Sequence, residues 1–241
     1  MYSRQLIDAP PALADQVRLV TGTIMRESEL LKKDLFGEVR CEFVAAEPRI
    51  VRDATAARGW LRWLARLLLR REARALAALD GLDGVPQLIA TDGLRLERRY
   101  IDGLPLHRAK PDRPAYFCRA AKLLRRLHAR DVVHNDLAKE PNLLVTTHGE
   151  PALIDFQLAW HSPRRGRLFR LLAYDDLRHL LKHKRTYCPA ALTHRERAIL
   201  ARPSLPSRIW ARTVKPPYLF VTRVLLGWED REGAADRGRQ P

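Results

Sequence analysis

Cysteine is scarce in this chain. Cys41, Cys118 and Cys188 stand far apart in 241 residues, with no Cys-x-x-Cys pair and no histidine-rich company. That excludes a disulfide-stapled scaffold and a cysteine-based zinc site, and it fits a reducing compartment. Long apolar runs are missing as well. Nothing approaches the ~18 uncharged apolar residues that a membrane-spanning helix needs, and the opening MYSRQLIDAPPALADQVRLV lacks the apolar stretch of a secretory signal. The expectation is a cytoplasmic protein, free or peripheral at an inner membrane. Lysine is rare too, 8 of the 44 cationic side chains, so 36 are arginines. Acids number 28, which leaves a net charge of +16.

Hydrophobic residues make up 46% of the chain, enough for a substantial core, and the length allows one large domain or two small lobes. The arginine excess predicts an anionic partner, because the planar guanidinium matches phosphate and carboxylate oxygens two at a time. A nucleotide, a nucleic acid, an acidic lipid and an anionic glycan all qualify, and a solvated arginine-rich surface accounts for the same charge. Nucleic acid is not expected, because no aromatic-interleaved or zinc pattern accompanies the arginines.

Residues 1–25 read as a helical lead-in, with Pro10-Pro11 opening the first turn. From Leu30 to Asp53 the text alternates and is rich in β-branched residues, which predicts two or three short strands. Residues 58–79 predict a long helix with the apolar stripe Trp60, Trp63, Leu64, Leu67, Leu68, Leu76 and Leu79, ended by Asp80-Gly81. A strand pair follows around Thr91-Asp92-Gly93. Asp102-Gly103 is the expected boundary between a first lobe over 26–102 and a second over 103–241. The second opens with the helix PAYFCRAAKLLRRLHAR, continues with short apolar strands around a polar loop, and ends in basic helices. From Trp160 onward, 18 Lys+Arg stand against 7 Asp+Glu. Strands, helix, strands, then mostly helices predict an α+β fold in two lobes.

The densest chemistry lies in His134-Asn135-Asp136-Leu137, with Asn142 six residues after Asp136, and in Leu153-Ile154-Asp155-Phe156. Two carboxylates and a carboxamide thus fall at the ends of neighbouring apolar strands. A carboxylate beside a substrate hydroxyl accepts its proton, and a second carboxylate with a carboxamide offers hard oxygen ligands to magnesium. Either motif by itself is equally a set of turn-capping acids; the ordered pair is more specific. It resembles the protein-kinase catalytic loop H-R-D-L-x-x-x-N followed by D-F-G. The spacing from Asp136 to Asn142 is one residue longer, Gln157 replaces the final glycine, and no Ala-Pro-Glu follows. In these respects the chain is similar to atypical bacterial kinases related to the RIO family and to the lipopolysaccharide core sugar kinases. The resemblance covers roughly Lys32 to Lys184. It implies a bilobal protein-kinase-like fold, with a small β-rich N-lobe carrying one long helix and a short, mostly helical C-lobe. It further implies ATP and magnesium, with Asp136 as catalytic base, His134 supporting the loop, and Asn142 and Asp155 as metal ligands.

By the same resemblance the first lobe supplies the nucleotide contacts. Arg52 stands where kinases carry the lysine of Val-x-Lys, and Glu72 in LLRREARAL is the acid expected to pair with it. Arginine differs from lysine in bulk and fork, so the replacement is not conservative. Gly37 in LKKDLFGEV is what remains of a glycine-rich loop. Lys32 or Lys33 could add a cation there, although a solvated strand end is the preferred reading of both. Arg98-Arg99-Tyr100-Ile101-Asp102-Gly103 takes the place of the adenine-contacting strand and hinge, with Arg99 and Ile101 as binding positions through backbone groups. Asp176 is expected at the start of a helix. There it resembles the acid that anchors a C-lobe helix in RIO-like kinases, or else simply favours the helix N-terminus.

Arg58, Arg62, Arg66, Arg70 and Arg74 recur four residues apart beside Trp60 and Trp63. That pattern fits a basic amphipathic helix lying on anionic membrane. An ordinary helix with its apolar side on the sheet is preferred, because Trp60, Leu64 and Leu67 suit a buried face. The leading functional expectation is an ATP- and magnesium-dependent phosphotransferase acting as a RIO-like serine/threonine protein kinase. A heptose-type lipopolysaccharide core sugar is the second acceptor, and a small soluble alcohol the third. A pseudokinase or basic scaffold is the non-enzymatic alternative.

Overall fold

The computed structural model describes residues 28–44 and 47–201. The expected lead-in over 1–25, and the part of the expected basic helical tail that lies beyond residue 201, are outside them. Three strands come first: β1 (Ser28–Asp34), β2 (Gly37–Val44) and β3 (Glu47–Asp53), each antiparallel to the next. Asp34 lies opposite Gly37, so Leu35 and Phe36 form a two-residue turn. Gly37 has φ 129°, and a Cβ there would fall 2.0 Å from the Asp53 carbonyl oxygen. The close approach of β2 to the end of β3 therefore requires glycine.

A 3-10 turn (Gly59–Leu61) leads into helix α1 (Arg62–Ala78). Strands β4 (Leu88–Thr91) and β5 (Arg95–Arg99) complete a five-stranded antiparallel sheet of order β1-β2-β3-β5-β4. The β4–β5 turn is tied by the Asp92 carboxylate, which accepts the N–H groups of Leu94 and Arg95 at 2.8 and 2.7 Å. The helix buries the expected Leu76 and Leu79, but the rest of its buried stripe is shifted from the expected one. Leu61, Ala65, Leu69, Glu72, Ala75, Leu76 and Leu79 face inward, whereas Trp60, Trp63 and Leu67 are exposed. The small Ala65 and Ala75 let the helix approach its neighbours closely, and the indoles, one step around the helix, fall on the water side.

The helical part follows Asp102-Gly103. It comprises β6 (Gly103–Pro105), α2 (Leu106–Ala109), α3 (Pro114–Ala129), β7 (Val132–Val133), β8 (Leu143–Thr146), β9 (Pro151–Leu153), β10 (Trp160–His161), α4 (Arg167–Tyr187) and α5 (His194–Ala201). Proline opens α3 at its first turn, where its missing N–H costs nothing. The start of α5 is a capping box. Thr193 Oγ1 accepts the Glu196 N–H, while Glu196 Oε2 accepts the Thr193 N–H. Strands β6, β8 and β9 form one small sheet, and β7 pairs with β10. One continuous core joins the two parts: Leu69, Leu76 and Leu96 belong to the same buried cluster as Leu127, Leu143, Leu153 and Phe156. The architecture is α+β, an antiparallel sheet-rich part followed by a helical part. Among the described residues, no helix is long and apolar enough to cross a membrane.

Candidate active site

The β7–β10 pair and the β8–β9 hairpin bring the two acidic motifs together. Ile154 donates its N–H to the Asn142 carbonyl at 3.0 Å, and its own carbonyl lies 3.0 Å from His134 Nε2. His134 is fully buried and rests against Phe156, with ring centroids 4.7 Å apart. Its Nδ1 accepts the Asp136 N–H at 3.3 Å, so Nε2 carries the proton that goes to Ile154. Asn135 (φ 62°) and Asp155 (φ 64°) both adopt the left-handed conformation, which Asn and Asp tolerate better than other side chains. The Asp136 carboxylate receives Asn142 Nδ2 at 3.0 Å and Lys139 Nζ at 3.1 Å. Burial pushes the Asp136 carboxyl up, against the opposing pull of Lys139, and the nearby Asp155 charge adds to the rise.

Helix α4 grips this loop from behind. Asp176 is 2% exposed and takes the N–H of His134 on Oδ2 (2.7 Å) and of Asn135 on Oδ1 (2.9 Å), with His128 Nε2 at 3.2 Å. His183 Nε2 meets the Leu137 carbonyl at 2.7 Å, and Tyr187 Oη donates to Glu140 Oε2 at 2.6 Å. Residues 176, 183 and 187 share one face of α4 by the helical period. Asp176 therefore sits in the middle of α4, not at its start: the helix begins at Arg167. Its partners are loop amides, not a helix N-terminus.

The first sheet contributes a charged cluster. Glu72 on α1 is fully buried between two arginines, with Arg98 Nη1 at 2.9 Å and Arg52 Nη1 at 3.5 Å. The register sets Arg52 opposite Leu96 and Ile50 opposite Arg98, so both arginines face α1 from adjacent strands. The expected Arg52–Glu72 pair is present, but it is the longer of two. Arg98 is expected from the sequence only as part of the adenine-contacting strand, not as the nearer partner of Glu72. The β5 alternation, with Leu96 buried two residues earlier, carries the signal that it points inward. Asp155 lies within the field of the same arginines. Burial works to raise its carboxyl, yet Arg52, Arg98 and Lys139 together hold it below the ordinary carboxylate value. Its Oδ1 is buried without a hydrogen-bond partner. Lys139, His183 and Tyr187 were also missed; the spacing of the last two from Asp176, two and three helical turns, was the available clue.

The remaining expected positions are less convergent. Gly37 lies with Phe36, Val39, Arg52, Ala65 and Gln157 around a small cleft beneath the β1–β2 turn. Lys33 pairs across the hairpin with Glu38 at 2.9 Å and is largely exposed, as a solvated strand end would be. Arg99 is exposed; its N–H goes to the Gln87 carbonyl and that of Tyr100 to Pro48, after which Ile101 leads towards β6. Among the described residues, no group of three or more His, Cys, Asp or Glu side chains could hold a metal ion. The expected motifs supply two carboxylates, Asp136 and Asp155, and the Asn142 carboxamide as side-chain oxygen donors. No protein-family model matches the chain, and no curated protein matches it significantly.

Proposed function

We propose that the chain is an ATP- and magnesium-dependent phosphotransferase with a two-lobed, protein-kinase-like fold, acting on a serine or threonine hydroxyl. The single observation that carries this reading is the convergence of two dissimilar carboxylates on one cluster of cations. Asp155 is kept ionised by Arg52, Arg98 and Lys139, while burial makes Asp136 the more basic of the two. Carboxylates pushed apart in this way suit separate roles.

Asp155 fits a hard cation, because its buried Oδ1 has no protein partner and its charge persists to low pH. Asn142 turns Nδ2 to Asp136, which leaves the lone pairs of its Oδ1 for the same ion. Bound there, magnesium would neutralise phosphate charge. Asp136, oriented by Asn142 and by the His134-braced backbone, would accept the hydroxyl proton as the acceptor oxygen attacks. Arg52 would meet the phosphates from β3, and Lys139 would balance charge near the transferred group. A sugar hydroxyl of a lipopolysaccharide core is the second acceptor, favoured by the arginines on the outside of α1.

The test is transfer from labelled ATP with magnesium, in wild type and Asp136→Ala. Nucleotide binding in both, with transfer in wild type alone, supports the reading. Binding without transfer in either would leave a catalytically silent scaffold.

A further inference from the structure

The outer face of α1 takes no part in that site. Trp63 and Trp60 are 66% and 60% exposed, the largest exposures of big apolar side chains among the described residues, and Leu67 is 47% exposed. The helical period places Trp63, Leu67, Arg70 and Arg74 on one face with Arg62 and Arg66 beside them, and all are exposed. Leu158, 41% exposed, adjoins this face: Arg71, one turn beyond Leu67, donates to the Leu158 carbonyl at 3.1 Å. Two indoles and two leucines are thus in contact with water along or beside this face, the kind of exposure that marks a contact site for another protein or a membrane.

Its composition says what covers it. From Arg58 to Arg74 there is no Ser, Thr, Asn or Gln, and the single acid, Glu72, is buried on the opposite side. The face is tryptophan, leucine and arginine. We propose that it docks on an anionic lipid surface, with Trp60 and Trp63 at headgroup depth and the arginines against lipid phosphates. The chain's own residues 202–241 are a poorer occupant, because their 8 Lys+Arg against 4 Asp+Glu repel the same arginines. Nucleic acid would satisfy the arginines but leave the leucines unpaired, and the face has no neutral hydrogen-bonding side chain to read bases. Glu72 lies on the inner side of the same helix. Docking would therefore hold the candidate site within about one helix diameter, roughly 10 Å, of the lipid. This inference concerns where the protein works and does not rest on the phosphotransferase reading.

The experiment is flotation of the full chain with phosphatidylglycerol-containing vesicles and with phosphatidylcholine vesicles, at low salt and about 1 M salt. Wild type should float with the anionic vesicles alone, lose most binding at high salt, and shift its tryptophan emission to the blue. Arg66→Gln, Arg70→Gln and Arg74→Gln together should weaken partitioning roughly 100-fold. Trp60→Ser with Trp63→Ser should abolish the blue shift with an unchanged melting temperature, since both side chains are solvent-facing. Flotation and blue shift unchanged in the tryptophan variant would overturn the assignment and point to residues 202–241. Binding of an oligonucleotide with no flotation would overturn it in favour of nucleic acid.

Discussion

Arg98 stands closer to Glu72 than Arg52 does, 2.9 Å against 3.5 Å. A buried glutamate neutralised from β5 does not depend on the β3 arginine for its counter-charge. Under the proposed phosphotransferase reading, Arg52 is thereby freer to turn to a phosphate.

The two arginines should separate experimentally. Arg98→Ala should lower stability more than Arg52→Ala in chemical denaturation, and Arg52→Ala should be the greater loss in nucleotide affinity. Glu72→Ala, which leaves two cations facing each other in the interior, should cost about 3–5 kcal/mol. Equal stability losses for the two arginine variants would mean that the distances do not reflect the sharing of charge.

Asp155 and Asp136 should respond to pH with opposite signs. The Asp155 carboxyl is depressed in the folded state, so it contributes stability above its unfolded pKa of about 4 that is lost as pH falls through the folded value. Asp155→Asn should be less stable than wild type at neutral pH, with the gap closing in acid. The folded Asp136 carboxyl is raised, so its stabilising contribution lies at low pH and is lost as pH rises through the folded value. Asp136→Asn should therefore equal or exceed wild-type stability at neutral pH while losing turnover by about 10²–10⁴-fold. Urea titrations at several pH values check both.

Removing the α4 anchor should loosen the loop. Asp176→Ala takes the side-chain acceptor from two buried backbone amides, at about 1–3 kcal/mol each. Asp176→Asn keeps one carbonyl acceptor and should lose less. Tyr187→Phe, at the loop's far end, should cost about 1 kcal/mol. Amide exchange at His134 and Asn135 distinguishes loop release from general unfolding.

Gly37→Ala should destabilise the first sheet by about 1–3 kcal/mol, because its Cβ would meet the Asp53 carbonyl and its φ disfavours any L side chain. If instead stability holds and nucleotide affinity falls, the glycine serves a ligand rather than the strand.

What was legible in the sequence was whatever is encoded by period or by adjacency. Alternation gave the strands around Val51, and the ordered His134-Asp136-Asn142 and Asp155 motifs do converge. On α1 the expected apolar stripe holds only in part: Leu76 and Leu79 are buried, whereas Trp60, Trp63 and Leu67 face water. Burial there goes to Ala65, Leu69 and Ala75, because the packing distance favours small residues and the hydropathy of an indole does not say which way it faces. Arg98 and Asp176 were hard to read for another reason. Each acts on a partner 26 or more positions away, Arg98 on Glu72 and Asp176 on the loop at His134, and no local pattern names such a partner.

The grip of α4 on the loop has a consequence during synthesis. Asp136, Asn142 and Asp155 emerge from the ribosome before Asp176, His183 and Tyr187, which hold the loop's backbone. A nascent chain therefore exposes all three oxygen-bearing side chains while their framework is still unmade, and the arrangement closes only when the later helix docks. A chain that ends before α4 thus lacks the side chains that hold the backbone of His134, Asn135 and Leu137.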